Sequence, residues 1–144
     1  MINWFKAFII MFKAHKGQKD KGGGAYFLHP LRVSLNIKDK RARVIGLIHD
    51  VIEDSDKYKL SDFNFLDEEQ VEALKTLTHD KSVPYFNYID KIKKNPLARK
   101  VKLSDLKDNM NLKRLKEITE KDRERFAKYE KARKILLDAE EYNI

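Results

Sequence analysis

The sequence predicts an all-α protein that forms a compact single domain of about six to seven helices. Apolar residues recur at helical spacing along almost the whole chain, and no segment between turn signals shows a sustained alternation of apolar and polar residues. A chain of 144 residues is large enough for one hydrophobic core and short for two domains. Residues 1–144 are therefore predicted to form one domain.

Capping signals define where several of the predicted helices begin. Asp67 precedes an amphipathic segment and, with Gln70 three residues later, predicts a capping box. Pro84 and Pro96 stand at or near the first turns of two further helices, and the run Gly22–Gly24 separates the first helix from the second. The predicted helices cover residues 2–15, 26–37, 40–53, 67–78, 84–94, 97–114 and 120–141.

Composition excludes several kinds of site. Cysteine is absent, which excludes disulfides, thiolate zinc sites and cysteine nucleophiles, so any metal must be held by His, Asp, Glu, backbone or water. The stretch from Ile2 to Phe12 is apolar, but Lys6 interrupts it and it is about half as long as the roughly 20 residues of a membrane span. It is predicted to be a buried first helix of a soluble, cytoplasmic protein without a membrane partner, with self-association through this helix as the alternative.

The chain is strongly basic, since Lys and Arg exceed Asp and Glu by eight. Such a balance predicts attraction to anions such as phosphorylated metabolites or nucleic acid. Much of the charge lies in alternating segments such as residues 117–134, which is typical of a solvated helix face. We expect a small-molecule partner and no stable nucleic-acid partner, and the oligomeric state is left open.

Four ionisable residues crowd the end of an otherwise apolar helical segment, namely His49, Asp50, Glu53 and Asp54. On a helix, Glu53 and Asp54 lie one turn after His49 and Asp50. Three carboxylates this close repel one another and resist burial unless a cation compensates them. The segment is therefore predicted to face a cation.

Two further polar residues occupy positions on or beside apolar stripes. Asp105 shares a helical stripe with Val101 and Leu112, and Asn109 follows it by one turn on the same side. His29 stands near the start of the second predicted helix. Taken singly, a hydrogen-bonded core histidine or an aspartate in a cap or ion pair explains each residue. Together, two imidazoles and two carboxylates suit a divalent ion with open positions for water and a phosphate oxygen.

The order of these motifs resembles the HD superfamily of metal phosphohydrolases, in which a His, a His-Asp pair and a distant Asp hold the metal. The match extends to the hydrolase domain of the RelA/SpoT-type alarmone hydrolases over roughly residues 7 to 135, through four segments in the same order, residues 14–18, 26–31, 48–55 and 101–110. Those enzymes remove pyrophosphate from the 3′ position of guanosine 3′,5′-bis(diphosphate), ppGpp, and usually use manganese. The resemblance implies an HD-domain fold, ppGpp-like substrates and a divalent metal, with Mn²⁺ expected.

Matched by position, the residues implied to bind the metal are His29, His49, Asp50 and Asp105. Those implied to act on the attacking water or near the ribose are Glu53, Asp54 and Asn109. A metal lowers the pKa of its bound water, so a nearby carboxylate need only accept a proton. The candidate substrate contacts are Lys21, Lys102, Tyr129 and Arg133, each with a solvated face as the alternative.

The sequence departs from the alarmone hydrolases in residues that read the substrate. Asp20 stands where the family carries an Arg that packs against the guanine base, and Leu106 replaces the Arg after the last metal Asp. A carboxylate removes a planar stacking cation and reverses the local charge. The alternatives are therefore a nucleotidase or other phosphomonoesterase acting on another nucleotide, and a nucleotide- or nucleic-acid-binding module with a vestigial HD site.

A second His-Asp pair, His79-Asp80, competes with the first for the metal. His79 follows a capped helix as its expected C-terminal residue, where a His commonly meets free carbonyls. The pair is therefore predicted to close that helix, with a phosphate contact as the alternative for His79.

Overall fold

The computed structural model describes residues 1–142 and confirms the all-α class. In this range there is no β-sheet, and a single antiparallel bridge joins Lys19 to Ala25. The α-helices are α1 (Ile2–His15), α2 (Leu28–Leu35), α3 (Lys40–Ile48), α4 (Val51–Asp54), α5 (Glu68–Leu77), α6 (Tyr85–Lys93), α7 (Pro96–Asn109) and α8 (Glu120–Tyr142). Short 3₁₀ turns lie at Leu60–Asp62 and Leu112–Arg114. Because α4 is a single turn, the seven longer helices match the predicted number.

The predicted capping signals are confirmed where they were strongest. Asp67 accepts a hydrogen bond from the Gln70 N–H at 2.8 Å, and the Gln70 side chain accepts one from the Asp67 N–H at 3.0 Å. Asn95 caps α7 by accepting a bond from the Ala98 N–H at 3.1 Å, with Pro96 in the first turn. These reciprocal bonds satisfy N–H groups that have no partner inside the helix.

Two segments that were predicted as continuous helices are interrupted in the structure. The segment predicted as 40–53 breaks after Ile48, because the His49 ring bonds the carbonyl of Gly46, which in a continued helix would accept a bond from the Asp50 N–H. The segment predicted as 97–114 ends at Asn109, and the Asn111 side chain then starts the following 3₁₀ turn. Both breaks fall where a polar side chain competes for backbone groups.

Helices α3 and α7 lie at the centre of the packing. Helix α3 packs against α1, α2, α5 and α7, and α7 packs against α2, α3, α5, α6 and α8. Full burial of side chains such as Ile45 and Leu106 stabilises the fold by about 1.5–3 kcal/mol each. Helix α3 approaches α2 closely at Gly46, where a Cβ atom would lie 3.2 Å from the Ser34 Cα. This close approach brings the polar ends of α2 and α3 together.

The first helix is buried on one face only. Ala7 and Met11 are buried against α3 and α4, and His15 is buried beside Tyr26, whereas Ile2 and Phe5 are 72% and 56% exposed. The prediction of a buried first helix is therefore correct for its inner face and wrong for its outer one. Among the described residues, no helix is both long enough and apolar enough to cross a bilayer.

Candidate functional site

Two histidines and two aspartates meet where the ends of α2 and α3 face the middle of α7. His29 Nε2 lies 2.9 Å from Asp105 Oδ1 and 3.9 Å from Asp50 Oδ2. His49 Nε2 lies 3.3 Å from Asp105 Oδ1 and 3.2 Å from Asp50 Oδ2. His29, His49 and Asp105 are buried, and Asp50 is half-buried. The fold therefore brings together the four residues that the sequence predicts as metal ligands.

The spacing of these four atoms fits a divalent ion. Neighbouring ligands on a six-coordinate ion with bonds of about 2.1 Å are about 3 Å apart. The four nitrogen–oxygen distances between the two rings and the two carboxylates run from 2.9 to 3.9 Å, and the ligand atoms of His29, His49 and Asp105 all lie within 4.8 Å of one another. Two nitrogens and two carboxylate oxygens are a donor set that such ions accept.

Hydrogen bonds at the far side of each ring set the direction of the imidazole lone pairs. His49 Nδ1 lies 2.7 Å from the carbonyl oxygen of Gly46, which can only accept, so Nδ1 carries the proton. His29 Nδ1 lies 2.6 Å from Asp108 Oδ2, which accepts in the same way. In the neutral rings both Nε2 atoms then carry a lone pair into the cluster, which is the arrangement of metal-binding histidines.

Asp108 is held in place by two arginines. Arg32 bonds it from Nε to Oδ1 at 2.8 Å and from Nη2 to Oδ2 at 3.1 Å, and Arg114 Nη2 reaches Oδ2 at 3.3 Å. Burial raises the pKa of Asp108, but the hydrogen bonds from His29 and Arg32 outweigh it and lower the pKa to about 2. Asp108 therefore stays ionised near neutral pH and orients the His29 ring.

The electrostatics of the cluster favour an added positive charge. Burial disfavours a charged imidazole, but the carboxylates of Asp50 and Asp105 outweigh it and raise the pKa of His49 well above its usual range. Burial also opposes ionisation of Asp105, yet Lys102 and His49 lower its pKa well below the usual range. A divalent ion would supply the charge that the ring protons otherwise provide, so we expect metal binding to displace those protons.

Asp50 has a further partner that fixes its carboxylate. The Tyr26 hydroxyl donates a hydrogen bond to Asp50 Oδ2 at 2.5 Å. Burial of the Tyr26 phenol and the nearby negative charge of Asp50 raise the pKa of Tyr26, so the hydroxyl remains a donor. Asp50 is thereby aimed at the two imidazoles.

Glu53 and Asp54 lie on the short helix α4, next to the cluster and exposed to solvent. Glu53 Oε1 accepts a hydrogen bond from the backbone N–H of His79 at 2.5 Å. Lost hydration and the charge of Asp50 raise the pKa of both carboxyls above their usual values. A carboxylate with a raised pKa is the better proton acceptor, which is what a water-activating group requires.

Asn109 and Lys102 reach the cluster from α7. Asn109 Nδ2 donates to Asp105 Oδ1 at 3.1 Å, and Lys102 Nζ donates to Asp105 Oδ2 at 2.9 Å. Burial lowers the pKa of Lys102, but the Asp105 charge outweighs it and raises the pKa well above its usual range. Asp105 thus presents one oxygen to the imidazoles while Lys102 neutralises the other.

A cavity of about 320 Å³ adjoins the cluster and includes His29 in its wall. The wall also carries basic, aromatic and amide side chains, among them Lys21, Asn109, Arg114, Arg125, Phe126 and Tyr129, together with the carboxylates of Asp20 and Asp122. Partial burial and the nearby Arg125 lower the pKa of Lys21, as expected where cations crowd together. A cavity with cations and aromatic rings beside the four predicted metal ligands suits a phosphorylated nucleotide.

Two other residues singled out in the sequence lie elsewhere. Arg133 lines a separate cavity with Lys38, Lys100 and Lys107, although Tyr129 one turn earlier faces the first cavity. The His79 ring bonds the Val83 carbonyl at 2.8 Å and stacks on Tyr88 with centroids 4.2 Å apart. Arg133 is thus separated from Lys21 and Tyr129 because the two sides of α8 border different cavities, and Lys102, bonded to Asp105, lines neither.

No family model matches the chain. It is 34% identical over 99 residues to a guanosine-3′,5′-bis(diphosphate) 3′-pyrophosphohydrolase of Borreliella burgdorferi and 31% identical over 114 residues to a probable one of Mycoplasma genitalium. These matches cover 61% and 75% of this chain. The chain spans only 15% and 14% of the length of the two relatives.

A solved structure of a metazoan ortholog of SpoT, described as hydrolysing ppGpp, shares the fold with a TM-score of 0.76 at 22% identity. The alignment covers 94% of this chain and 86% of that one. The chain is related to the RelA/SpoT-type hydrolases. The relationship predicted from the four sequence segments is thereby confirmed, as is the helical fold that it implied.

In this relative of the RelA/SpoT-type hydrolases, sequence reasoning missed the residues that orient the predicted ligands. Asp108 follows Asp105 by three residues, and Arg32 follows His29 by three, so each pair lies on one helix face. The three-residue spacing of Asp108 from Asp105, and of Arg32 from His29, is the sequence signal that places each orienting residue beside a predicted ligand. The Tyr26 contact to Asp50 joins residues 24 positions apart, and helical spacing does not predict it.

Proposed function

We propose that this relative of the RelA/SpoT-type hydrolases is a metal-dependent phosphohydrolase that removes pyrophosphate from the 3′ position of ppGpp or a closely similar nucleotide. One observation carries the proposal: two imidazoles and two carboxylates lie together beside a cavity whose wall includes cations and aromatic rings. Residues 1–144 act as one HD phosphohydrolase domain, with Mn²⁺ as the ion and the cytoplasm as the site of action. The whole-protein activity of the relatives, each far longer than this chain, motivates the choice of substrate.

In the proposed mechanism, His29, His49, Asp50 and Asp105 would hold the ion. When bound, a divalent ion would lower the pKa of a water and neutralise charge on the phosphate. The carboxylate pair of Glu53 and Asp54 accepts the one proton that the attacking water loses, as the raised pKa values of both groups favour. The water oxygen bonds to phosphorus, the bond from phosphorus to the 3′ oxygen breaks, and the 3′ oxygen takes up that proton from the carboxylate pair. The products are pyrophosphate and a nucleotide with a free 3′ hydroxyl.

Substrate binding is proposed to use the cavity wall. Lys21 and Arg125 contact phosphate oxygens, and Tyr129 stacks on the base or ribose, with Asn109 beside the ribose. Lys102 acts through Asp105, which it holds at 2.9 Å. Arg133 is not part of this proposed set, because it lines the other cavity.

The test is to incubate the purified chain with Mn²⁺ and ppGpp and to measure pyrophosphate. We expect release of pyrophosphate by the wild type and by Asp80→Ala, and none by Asp50→Ala, since Asp80 is an exposed turn residue bonded to Ser82. Inorganic phosphate as the product would select the phosphomonoesterase alternative. Absence of either product from folded, metal-loaded wild type would contradict the proposal.

A further inference from the structure

Arg114 stands between the Lys21 loop, residues 19–25, and the cluster of predicted metal ligands. Its Nη2 donates to the carbonyl oxygen of Asp108 at 2.7 Å and lies 3.3 Å from Asp108 Oδ2. Its Nη1 lies 3.7 Å from Asp20 Oδ2. One guanidinium therefore contacts two acidic side chains that belong to distant parts of the chain.

The loop rests on Arg114 through both side chain and backbone. Asp20 Oδ1 accepts hydrogen bonds from the N–H groups of Gly22 and Gly24, each at 2.9 Å, which folds the loop around the carboxylate. A Cβ atom at Gly22 would lie 2.3 Å from the Arg114 carbonyl oxygen. This loop carries Lys21 into the wall of the cavity, so its position determines where that cation stands. Asp20, where the family has an Arg, thus has a structural task here.

Through Asp108, Arg114 is also connected to the His29 ring. Asp108 Oδ2 accepts from His29 Nδ1 at 2.6 Å, and His29 Nε2 points into the cluster at 2.9 Å from Asp105. Arg114 also lines the cavity, and its buried Nε has no hydrogen-bond partner within residues 1–142. A buried guanidinium N–H without a partner favours a ligand oxygen beside it.

We propose that Arg114 is a positioning residue that couples the Lys21 loop to the His29 metal ligand through Asp20 and Asp108. The inference rests on the proposed function, because it assigns the metal to the cluster and the nucleotide to the cavity. Removing Arg114 frees the loop from Asp108 and loosens His29 at the same time. Metal binding and nucleotide binding are therefore expected to weaken together in this one variant.

Arg32 provides a matched control within the same site. It also holds Asp108, with bonds of 2.8 and 3.1 Å, but in the described part of the chain its side-chain hydrogen bonds go to Asp108 alone. It does not line the cavity. Loss of Arg32 is expected to disturb the His29 ligand and leave the loop unchanged. Arg123, 68% exposed on α8 and paired with Glu120, is the control for an arginine outside the site.

The experiment measures two dissociation constants for Arg114→Met, Arg32→Met and Arg123→Met. The Kd for Mn²⁺ is measured by calorimetry without nucleotide, and the Kd for ppGpp is measured with EDTA, which prevents hydrolysis. We expect Arg114→Met to weaken both by about tenfold, Arg32→Met to weaken Mn²⁺ alone by about tenfold, and Arg123→Met to change neither. Arg114→Lys gives the pattern of Arg114→Met, because one ammonium cannot hold both carboxylates, and it serves where the methionine variant does not fold.

The outcomes distinguish a failure of the Arg114 coupling from a failure of the proposed function. If wild type binds Mn²⁺ and releases pyrophosphate while the Arg114 variants weaken Mn²⁺ alone, as Arg32→Met does, the coupling is overturned and the proposed function stands. Arg114 variants within twofold of wild type in both constants overturn it as well. A wild type that neither binds Mn²⁺ nor hydrolyses ppGpp overturns both.

Discussion

Asp108→Asn tests whether Asp108 orients a metal ligand. The substitution keeps the size of the side chain and removes the charge that accepts from His29 Nδ1 at 2.6 Å. Removing a group that orients a metal-binding His costs about 10- to 100-fold in metal affinity, or about 1.4–2.7 kcal/mol. Arg32 and Arg114 are 33% and 31% exposed, so water replaces much of their lost pairing and the stability cost is about 1 kcal/mol.

The assay for this variant is a Mn²⁺ titration followed by turnover at saturating metal. We expect half-saturation at a 10- to 100-fold higher Mn²⁺ concentration, with most of the turnover recovered when the ion is in excess. Asp90→Asn, at an exposed position of α6, is the matched control and should titrate as wild type does. Asp108→Asn with a Mn²⁺ affinity within twofold of wild type would refute the role of Asp108.

Three further predictions concern the general base, the loop and stability. Glu53→Gln should lower kcat by about 10²–10⁴-fold and leave the Kd for Mn²⁺ within a few-fold, measured by turnover and calorimetry, because a proton acceptor is lost and a ligand is not. Gly22→Ala should raise the KM for ppGpp in steady-state kinetics, because its Cβ collides with the Arg114 carbonyl and shifts the loop; an unchanged KM would count against the loop's role. Asp39→Ala should lower the free energy of unfolding in urea by about 1 kcal/mol at pH 7, because Asp39 caps α3 and pairs with Lys100 at 3.2 Å. Burial raises the Asp39 pKa, but the Ala42 N–H and Lys100 outweigh it and hold the pKa below its usual value of 3.8. The charge-dependent part of this contribution is therefore fully present above about pH 4 and is lost as the pH falls through the lowered pKa. A difference in unfolding free energy that does not shrink as the pH falls below about 4 would contradict it.

The helical fold is predictable because it depends on local spacing. The capping box at Asp67 and Gln70 and the Pro96 start are local signals, and the structure contains both. The break after Ile48 is not predictable from apolar periodicity, because it depends on the His49 ring taking the Gly46 carbonyl. A polar side chain that changes the backbone path leaves no trace in the hydrophobic pattern.

The candidate site was predictable as a set of residues and not as a geometry. Charged groups in apolar stripes indicate that His49 and Asp105 need partners, but their contact spans 56 positions and depends on how α3 packs on α7. Tyr129 and Arg133 share a helix and one turn of spacing, yet they border different cavities. Asp20 shows the same limit. Its deviation from the family pattern suggested a changed contact to the base, whereas in the structure its carboxylate accepts hydrogen bonds from the N–H groups of Gly22 and Gly24.

The proposed hydrolysis requires that His29, His49, Asp50 and Asp105 hold a divalent ion. Pulsed electron paramagnetic resonance of the Mn²⁺-loaded chain detects nitrogen atoms bonded to the ion and therefore reports whether the two histidines are ligands. We expect couplings from two imidazole nitrogens in the wild type and in Asp80→Ala, and from one in His49→Ala samples saturated with Mn²⁺. Mn²⁺ bound to the wild type without any nitrogen coupling would contradict this ligand set.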